Sequence, residues 1–121
     1  MSESFQHRVQ PWLQQCFGAE IAADPAERNR RFLEEALELV QANGCTASEA
    51  HQWVDYVFSR PAGALQQEVG GVMVTLASLC QAGGVDMHAE ADTELERISQ
   101  PETMARIRAK HAGKPKYVAT P

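Results

Sequence analysis

The 121 residues suffice for one domain with a hydrophobic core, and 44% hydrophobic with 22% charged residues is typical of a soluble globular protein. All 16 acidic residues and six basic residues fall within residues 1–104, whereas residues 105–121 carry five basic residues and no acid. A body with a net charge of −10 argues against stable DNA binding. The basic tail can bind phosphates or dock on the acidic body.

The cysteines and the apolar segments predict a cytoplasmic protein without membrane contact. Cys16, Cys45 and Cys80 are odd in number and form no metal-binding spacing with histidine, which predicts reduced thiols. The N-terminal sequence MSESFQHRVQ lacks the apolar segment of a signal peptide. The best apolar run, residues 69–80, is too short to span a bilayer.

The first helical pattern surrounds Pro11. Apolar residues recur at helical spacing over residues 5–16, so this is either one kinked helix or a short helix that starts near the proline. Phe17 and Gly18 end it, and residues 19–23 are predicted to form a connector.

Two helices with clear start and stop signals follow. Asp24 is an N-cap followed by a proline, and the helix that it starts ends at Asn43-Gly44. Its apolar stripe predicts that it packs on a core. Thr46 and Glu49 form a capping box that opens a second helix to about Ser59.

Three more helices complete the pattern. Residues 64–81 have apolar residues spaced by three and four, which predicts a helix central to the core. Asp86 caps a helix through Ile98, and a last helix runs from residues 99–102 to about Ala112. The sequence therefore predicts an all-α bundle of about five to six helices, with one domain over residues 1–112 and a flexible basic tail over residues 113–121.

Three carboxylates share one face of the helix that Asp24 starts. Glu38 lies three and four residues after Glu35 and Glu34, so the three side chains converge on about one turn. Oxygen clusters of this kind suit hard cations such as Mg²⁺. Charge clusters on helices are, however, usually solvated faces.

A fourth carboxylate lies at the edge of the apolar stripe of residues 64–81. Glu68 precedes Val69 of that stripe, where an isolated charge is costly unless it is paired. Glu68 can complete a divalent-cation site with the three glutamates. Equally, it can form a salt bridge with Arg28 or Arg31 across the helices.

Together these residues resemble the all-α nucleoside triphosphate pyrophosphohydrolases, the MazG-like and dimeric dUTPase superfamily. The family's EExxE motif stands as EEALE at residues 34–38, and its ExxD motif as EVGG at residues 68–71. The segment EVGGVMVTLASLC resembles the family's EVGDVLWYLAAL, and GGVDMHAEADTELERI resembles GIDLEEALEANLAKL. The resemblance covers about residues 28–98 and is closest to small phage-type or bacterial MazG-like proteins.

The chain departs from the family pattern at three positions. The ExxD aspartate falls on Gly71, and the family's phosphate-contacting Asn and Lys fall on Glu94 and Arg97. Arg97 keeps the positive charge, and Glu94 can replace the lost aspartate as a metal ligand. The helix over residues 46–59 is an insertion between the two motifs.

The resemblance implies a metal-dependent hydrolase that releases pyrophosphate from a ribo- or deoxyribonucleoside triphosphate. Mg²⁺, or Mn²⁺ in its place, would be held by the carboxylates of the motifs. The implied catalytic residues are Glu34, Glu35, Glu38 and Glu68, and the implied metal ligands are these four and Glu94. Arg31 and Arg97 would offset phosphate charge, and Trp53 would close the nucleotide pocket. A homodimer or homotetramer is the implied assembly.

Two other functions stay open at this stage. Loss of the aspartate at Gly71 favours a catalytically degenerate relative that binds nucleotide or metal, or is a purely structural oligomer. An adaptor for a protein partner is supported only by the basic tail.

Overall fold

The computed structural model describes residues 3–117, and within them the chain is entirely helical with no strand. The seven helices are α1 (Phe5–Phe17), α2 (Ala19–Ala23), α3 (Pro25–Ala42), α4 (Ala47–Phe58), α5 (Leu65–Gly83), α6 (Met87–Ile98) and α7 (Pro101–Ala112). The predicted all-α class is confirmed. The predicted number of five to six helices is wrong, because α2 is a short helix where a connector was expected. Its five residues are too few to show a helical period.

No single helix of residues 3–117 is long and apolar enough to cross a membrane, although α5 and α6 taken together would meet the length and composition requirement.

The helices fall into two compact units. Unit 1 comprises the described parts of Met1–Ala23 and Asp86–Pro121, and unit 2 comprises Asp24–Val85. The single domain expected over residues 1–112 stays a prediction. Of the expected flexible tail, residues 113–117 follow α7 without helix, and residues 118–121 lie outside the described residues.

Unit 1 has a buried core and cross-links between distant helices. The Trp12 indole Nε1–H of α1 donates a 2.8 Å hydrogen bond to the Ile98 carbonyl at the end of α6. Arg108 Nε of α7 donates a 2.8 Å hydrogen bond to the Cys16 carbonyl, which caps the end of α1. The buried side chains of this unit are Leu13, Cys16, Ala22, Leu95, Thr103 and Met104.

The polar caps that the sequence predicted define the helix ends of unit 2. Asp24 Oδ1 accepts a hydrogen bond from the Ala26 N–H at 3.0 Å, and Thr46 Oγ1 accepts one from the Glu49 N–H at 3.2 Å. The start of α5 at Ala64 has no side-chain cap. Its end is fixed by Gly84, whose φ of +70° is the left-handed conformation that glycine adopts without strain.

The apolar faces of unit 2, in contrast, are not covered. Neither α3 nor α4 contains a buried residue, and α5 contains only Cys80. The expectations that α3 packs on a core and that α5 is central to one are therefore wrong for the single chain. Periodicity identifies which face of a helix is apolar, but the covering element has to come from the rest of the structure, and here none of α3, α4 and α5 packs extensively on another.

The Trp12 hydrogen bond gives a test of the unit 1 core. Trp12→Phe keeps an aromatic ring but leaves the Ile98 carbonyl without its donor, so we expect a loss of about 1–2 kcal/mol in the free energy of unfolding. The control is Tyr117→Phe in the same unit, because Tyr117 is 72% exposed. Urea unfolding followed by far-ultraviolet circular dichroism measures the free energy of unfolding of both variants. Equal midpoint shifts in the two variants would contradict the assignment.

Candidate functional site

The three glutamates of the EExxE motif lie on the middle of α3, where the helix is regular. Glu34 and Glu38 are four residues apart and therefore lie one above the other, and Glu35 lies beside them. Glu34 is half-buried, whereas Glu35 and Glu38 are exposed. The structure thus presents the motif as a carboxylate-rich flank of α3 rather than as part of a closed core.

Arg31 neutralises part of this flank from the same helix. Its Nη1 donates a 3.3 Å hydrogen bond to Glu34 Oε1. Its Nε lies 3.1 Å from Glu27 Oε1, which is close enough for an ion pair, although the N–H is not aligned for a hydrogen bond. Arg31, which was predicted to contact phosphate, is therefore already paired with two carboxylates of its own helix. A substrate phosphate would have to compete with them.

Arg28, nearly two turns before the motif, has an unsatisfied guanidinium. Its Nε and Nη2 are shielded from solvent and have no hydrogen-bond partner within the described residues. Desolvated N–H groups on a charged side chain are costly, and an anionic acceptor would relieve the cost. The sequence analysis considered Arg28 only as a salt-bridge partner. No sequence signal reveals that its donors are desolvated, because this depends on what surrounds the side chain.

Glu68 lies in the first turn of α5 and is exposed. Within the described residues it has no hydrogen bond and no ion pair, so the alternative salt bridge to Arg28 or Arg31 is not formed in the single chain. Its Oε1 lies close to Gly63 in the preceding connection, where an added Cβ would be 3.2 Å away. Among residues 3–117, Glu68 is thus a carboxylate without a counter-charge.

Glu94 and Arg97 pair with each other on α6. Arg97 Nε donates to Glu94 Oε1 at 2.8 Å, and Arg97 Nη2 donates to Glu94 Oε2 at 2.7 Å. This bidentate hydrogen bond lowers the pKa of the Glu94 carboxyl below its ordinary value, which more than offsets the opposing effect of desolvation. Glu94 and Arg97 are therefore already paired with each other. For Glu94 to bind a metal ion, or for Arg97 to bind phosphate, this ion pair has to break.

Trp53 lies on α4 and lines an apolar groove between α3 and α4. The groove has a volume of about 650 Å³. Its lining residues are Leu33, Leu37, Val40, Asn43, Gly44, Cys45, Glu49, Ala50, Trp53, Val54, Val57 and Phe58. The Trp53 ring makes an edge contact with Tyr56 at a centroid distance of 5.6 Å. The pocket-closing role predicted for Trp53 stays a prediction.

The three cysteines are unpaired and differ in accessibility. Cys16 and Cys80 are buried, whereas Cys45 is half-buried at the rim of the groove. Burial raises the pKa of the Cys16 thiol, and the neighbouring Arg108 guanidinium opposes this shift.

In kind, the carboxylates of α3 and Glu68 fit Mg²⁺, because they are hard oxygen donors. In arrangement, they do not complete a site: among residues 3–117, no group of three or more His, Cys, Asp or Glu side chains is placed to hold a metal ion. Gly71 offers no ligand, and the space around it is open, since an added Cβ would meet nothing within 4 Å. The assignment of the metal ligands stays a prediction.

Comparison with known proteins adds no assignment. No protein-family model, no curated protein and no solved structure matches the chain, so no family can be assigned to it.

Proposed function

We propose that the chain is a subunit of a Mg²⁺-dependent nucleoside triphosphate pyrophosphohydrolase, which releases a nucleoside monophosphate and pyrophosphate. The observation that carries the proposal is a set of unbalanced charges in unit 2. Glu38 and Glu68 have no counter-charge among the described residues, and Arg28 has two desolvated donors without an acceptor. The exposed carboxylates are free to bind a divalent cation, and the phosphate that the cation carries would give Arg28 its missing acceptor.

In this reaction water attacks the α-phosphorus, the bond from that phosphorus to the α–β bridging oxygen breaks, and pyrophosphate leaves. Bound Mg²⁺ supplies charge neutralisation on the phosphates and a more acidic water. The residues proposed to hold it are Glu34, Glu35, Glu38 and Glu68. An α3 glutamate that does not ligate directly can accept the proton that the water loses.

The cationic side chains have distinct proposed roles. Arg28 donates to a phosphate oxygen, because its N–H groups are already desolvated and gain most from an acceptor. Arg31 and Arg97 contribute only if they exchange their present glutamate partners for phosphate. Trp53 closes the nucleotide pocket from α4. The enzyme is proposed to act as a homodimer or homotetramer in the cytoplasm.

A second candidate is a catalytically degenerate protein that binds nucleotide or metal without turnover, or is purely structural. It is favoured by Gly71 and by the lack of an assembled carboxylate cluster in residues 3–117. The two candidates differ in one measurement, pyrophosphate release from a panel of nucleoside triphosphates with Mg²⁺, with Mn²⁺ and with chelator. Metal-dependent release supports the enzyme. If no triphosphate yields pyrophosphate, while Mg²⁺ and nucleotide still raise the melting temperature, the degenerate protein is supported.

The carboxylate assignment predicts the effect of isosteric neutralisation. Glu35→Gln and Glu38→Gln should each reduce pyrophosphate release by about 100-fold or more, because a lost metal ligand removes charge neutralisation at the reacting phosphate. Circular dichroism should be unchanged, since both side chains are exposed. The matched control is Glu96→Gln, an exposed carboxylate on α6 that should retain turnover. Wild-type rates in either α3 variant would remove that residue from the site.

Gly71 allows a gain-of-function test. Gly71→Asp restores a carboxylate one turn after Glu68, so it should raise Mg²⁺-dependent pyrophosphate release about tenfold or more. The control Gly70→Asp places the same side chain at the neighbouring position, which also has nothing within 4 Å of an added Cβ. Equal rates for the two variants would show that the position of the aspartate is immaterial and would contradict the proposal.

Arg28→Met separates a phosphate ligand from a structural residue. We expect KM for the triphosphate to rise about tenfold or more. The melting temperature without ligand should stay the same or rise, because a desolvated, unsatisfied charge has been removed. Arg30→Met is the control, since Arg30 is more exposed and lies 3.9 Å from Glu27. A lower melting temperature with unchanged KM would make Arg28 structural.

A further inference from the structure

Exposed large hydrophobic side chains are concentrated in unit 2. Fifteen of the 17 in the described residues lie between Phe32 and Val85, and only Phe5 and Tyr117 belong to unit 1. Trp53 is 57% exposed, Leu33 58% and Val69 56%. A set of this size is not typical of a free surface, because exposed apolar patches on monomers are small. Something covers these helices in solution.

Unit 1 offers little with which to cover them. Its apolar side chains are consumed in its own core, where Leu13, Leu95 and Met104 are each at most 8% exposed. The outer surfaces of α6 and α7 carry charged side chains such as Arg97 and Lys110. The covering surface therefore has to be as apolar as unit 2, and among residues 3–117 the surface with that character is unit 2 itself, in another copy of the chain.

Unit 2 contains both an apolar groove and a helix with an exposed apolar stripe. α3 and α4 line the 650 Å³ groove, and within unit 2 no helix packs extensively against them. α5 has 19 residues, of which Glu68 alone is charged. Leu65, Val69 and Val72 lie within about 60° of one another on its surface and remain exposed. A helix with an uncharged apolar stripe is the shape that such a groove accepts.

We propose that unit 2 is the interface between two copies of this chain, in which α5 of each copy occupies the α3/α4 groove of the other. The contact is reciprocal, so a two-fold axis closes it and leaves no groove open. About a dozen half-exposed apolar side chains amount to roughly 1,000 Å² per chain, which exceeds the ~800 Å² per partner of a standard stable interface. The inference specifies the surface of the homo-oligomer named under the proposed function, but it does not depend on catalysis.

The first test uses the unaltered protein. Sedimentation equilibrium should give at least twice the 13.3 kDa chain mass at micromolar concentration. The urea midpoint should rise with protein concentration, because association stabilises the folded chain by mass action. A monomer at every concentration up to about 100 μM, with a concentration-independent midpoint, would overturn the inference.

Two charge insertions then locate the interface. Leu37→Glu in the groove and Val72→Glu on the α5 stripe should each weaken association by about 100-fold or more. The matched control is Val74→Glu, since Val74 is 69% exposed and lies about 160° around α5 from Val72. It should leave association unchanged. Equal weakening by Val74→Glu, or none by Leu37→Glu and Val72→Glu, would overturn the proposed surface.

Three further outcomes have a fixed meaning. If a charged variant is unfolded, Leu37→Ser and Val72→Ser replace it. Each serine variant should still weaken association, but by less than the glutamate variant. A monomeric protein that sediments with neutral phospholipid vesicles would assign the face to a membrane and overturn the inference. A dimer that releases no pyrophosphate would support this interface and contradict the proposed function.

Discussion

The structure depends on an apolar surface that the single chain does not bury. Unit 1 folds on its own side chains, with Trp12 and Arg108 each fixing the end of a distant helix by one short hydrogen bond. Unit 2 has well-formed helices with defined caps and almost no core. Helical stability in proteins comes mainly from packing of an apolar face. The covering of α3, α4 and α5 therefore decides whether unit 2 is ordered, and any site built on α3 and α5 depends on it.

Electrostatics in unit 2 follow a similar logic. Glu27, Arg31 and Glu34 form an alternating ladder along α3, so the charges that spacing alone placed at a binding site are partly balanced within one helix. Within residues 3–117, the charges left without a partner include the carboxylates of Glu38 and Glu68 and the guanidinium of Arg28. The two carboxylates are exposed and solvated, so the cost lies with the shielded N–H groups of Arg28, which an acceptor on a ligand or on a second chain would relieve.

The sequence predicted local structure well and tertiary structure poorly. Caps such as Asp24, Thr46 and Asp86 were assigned correctly, because each is a short-range hydrogen bond between neighbouring residues. α2 was missed because five residues carry no period. The core position of α5 was wrong because periodicity does not say what covers a face. The EExxE face could be read from spacing, but the desolvation of Arg28 and the Glu94–Arg97 pair depend on side-chain conformation.

The position of Cys45 gives the chain a built-in chemical reporter. Cys16 and Cys80 are buried, and burial raises the pKa of Cys16, so little of that thiol is present as the reactive thiolate near neutral pH. Cys45 is half-exposed at the rim of the α3/α4 groove. The rate at which an alkylating reagent consumes one thiol per chain therefore reports, without any engineered label, how much of the time that rim is open to solvent.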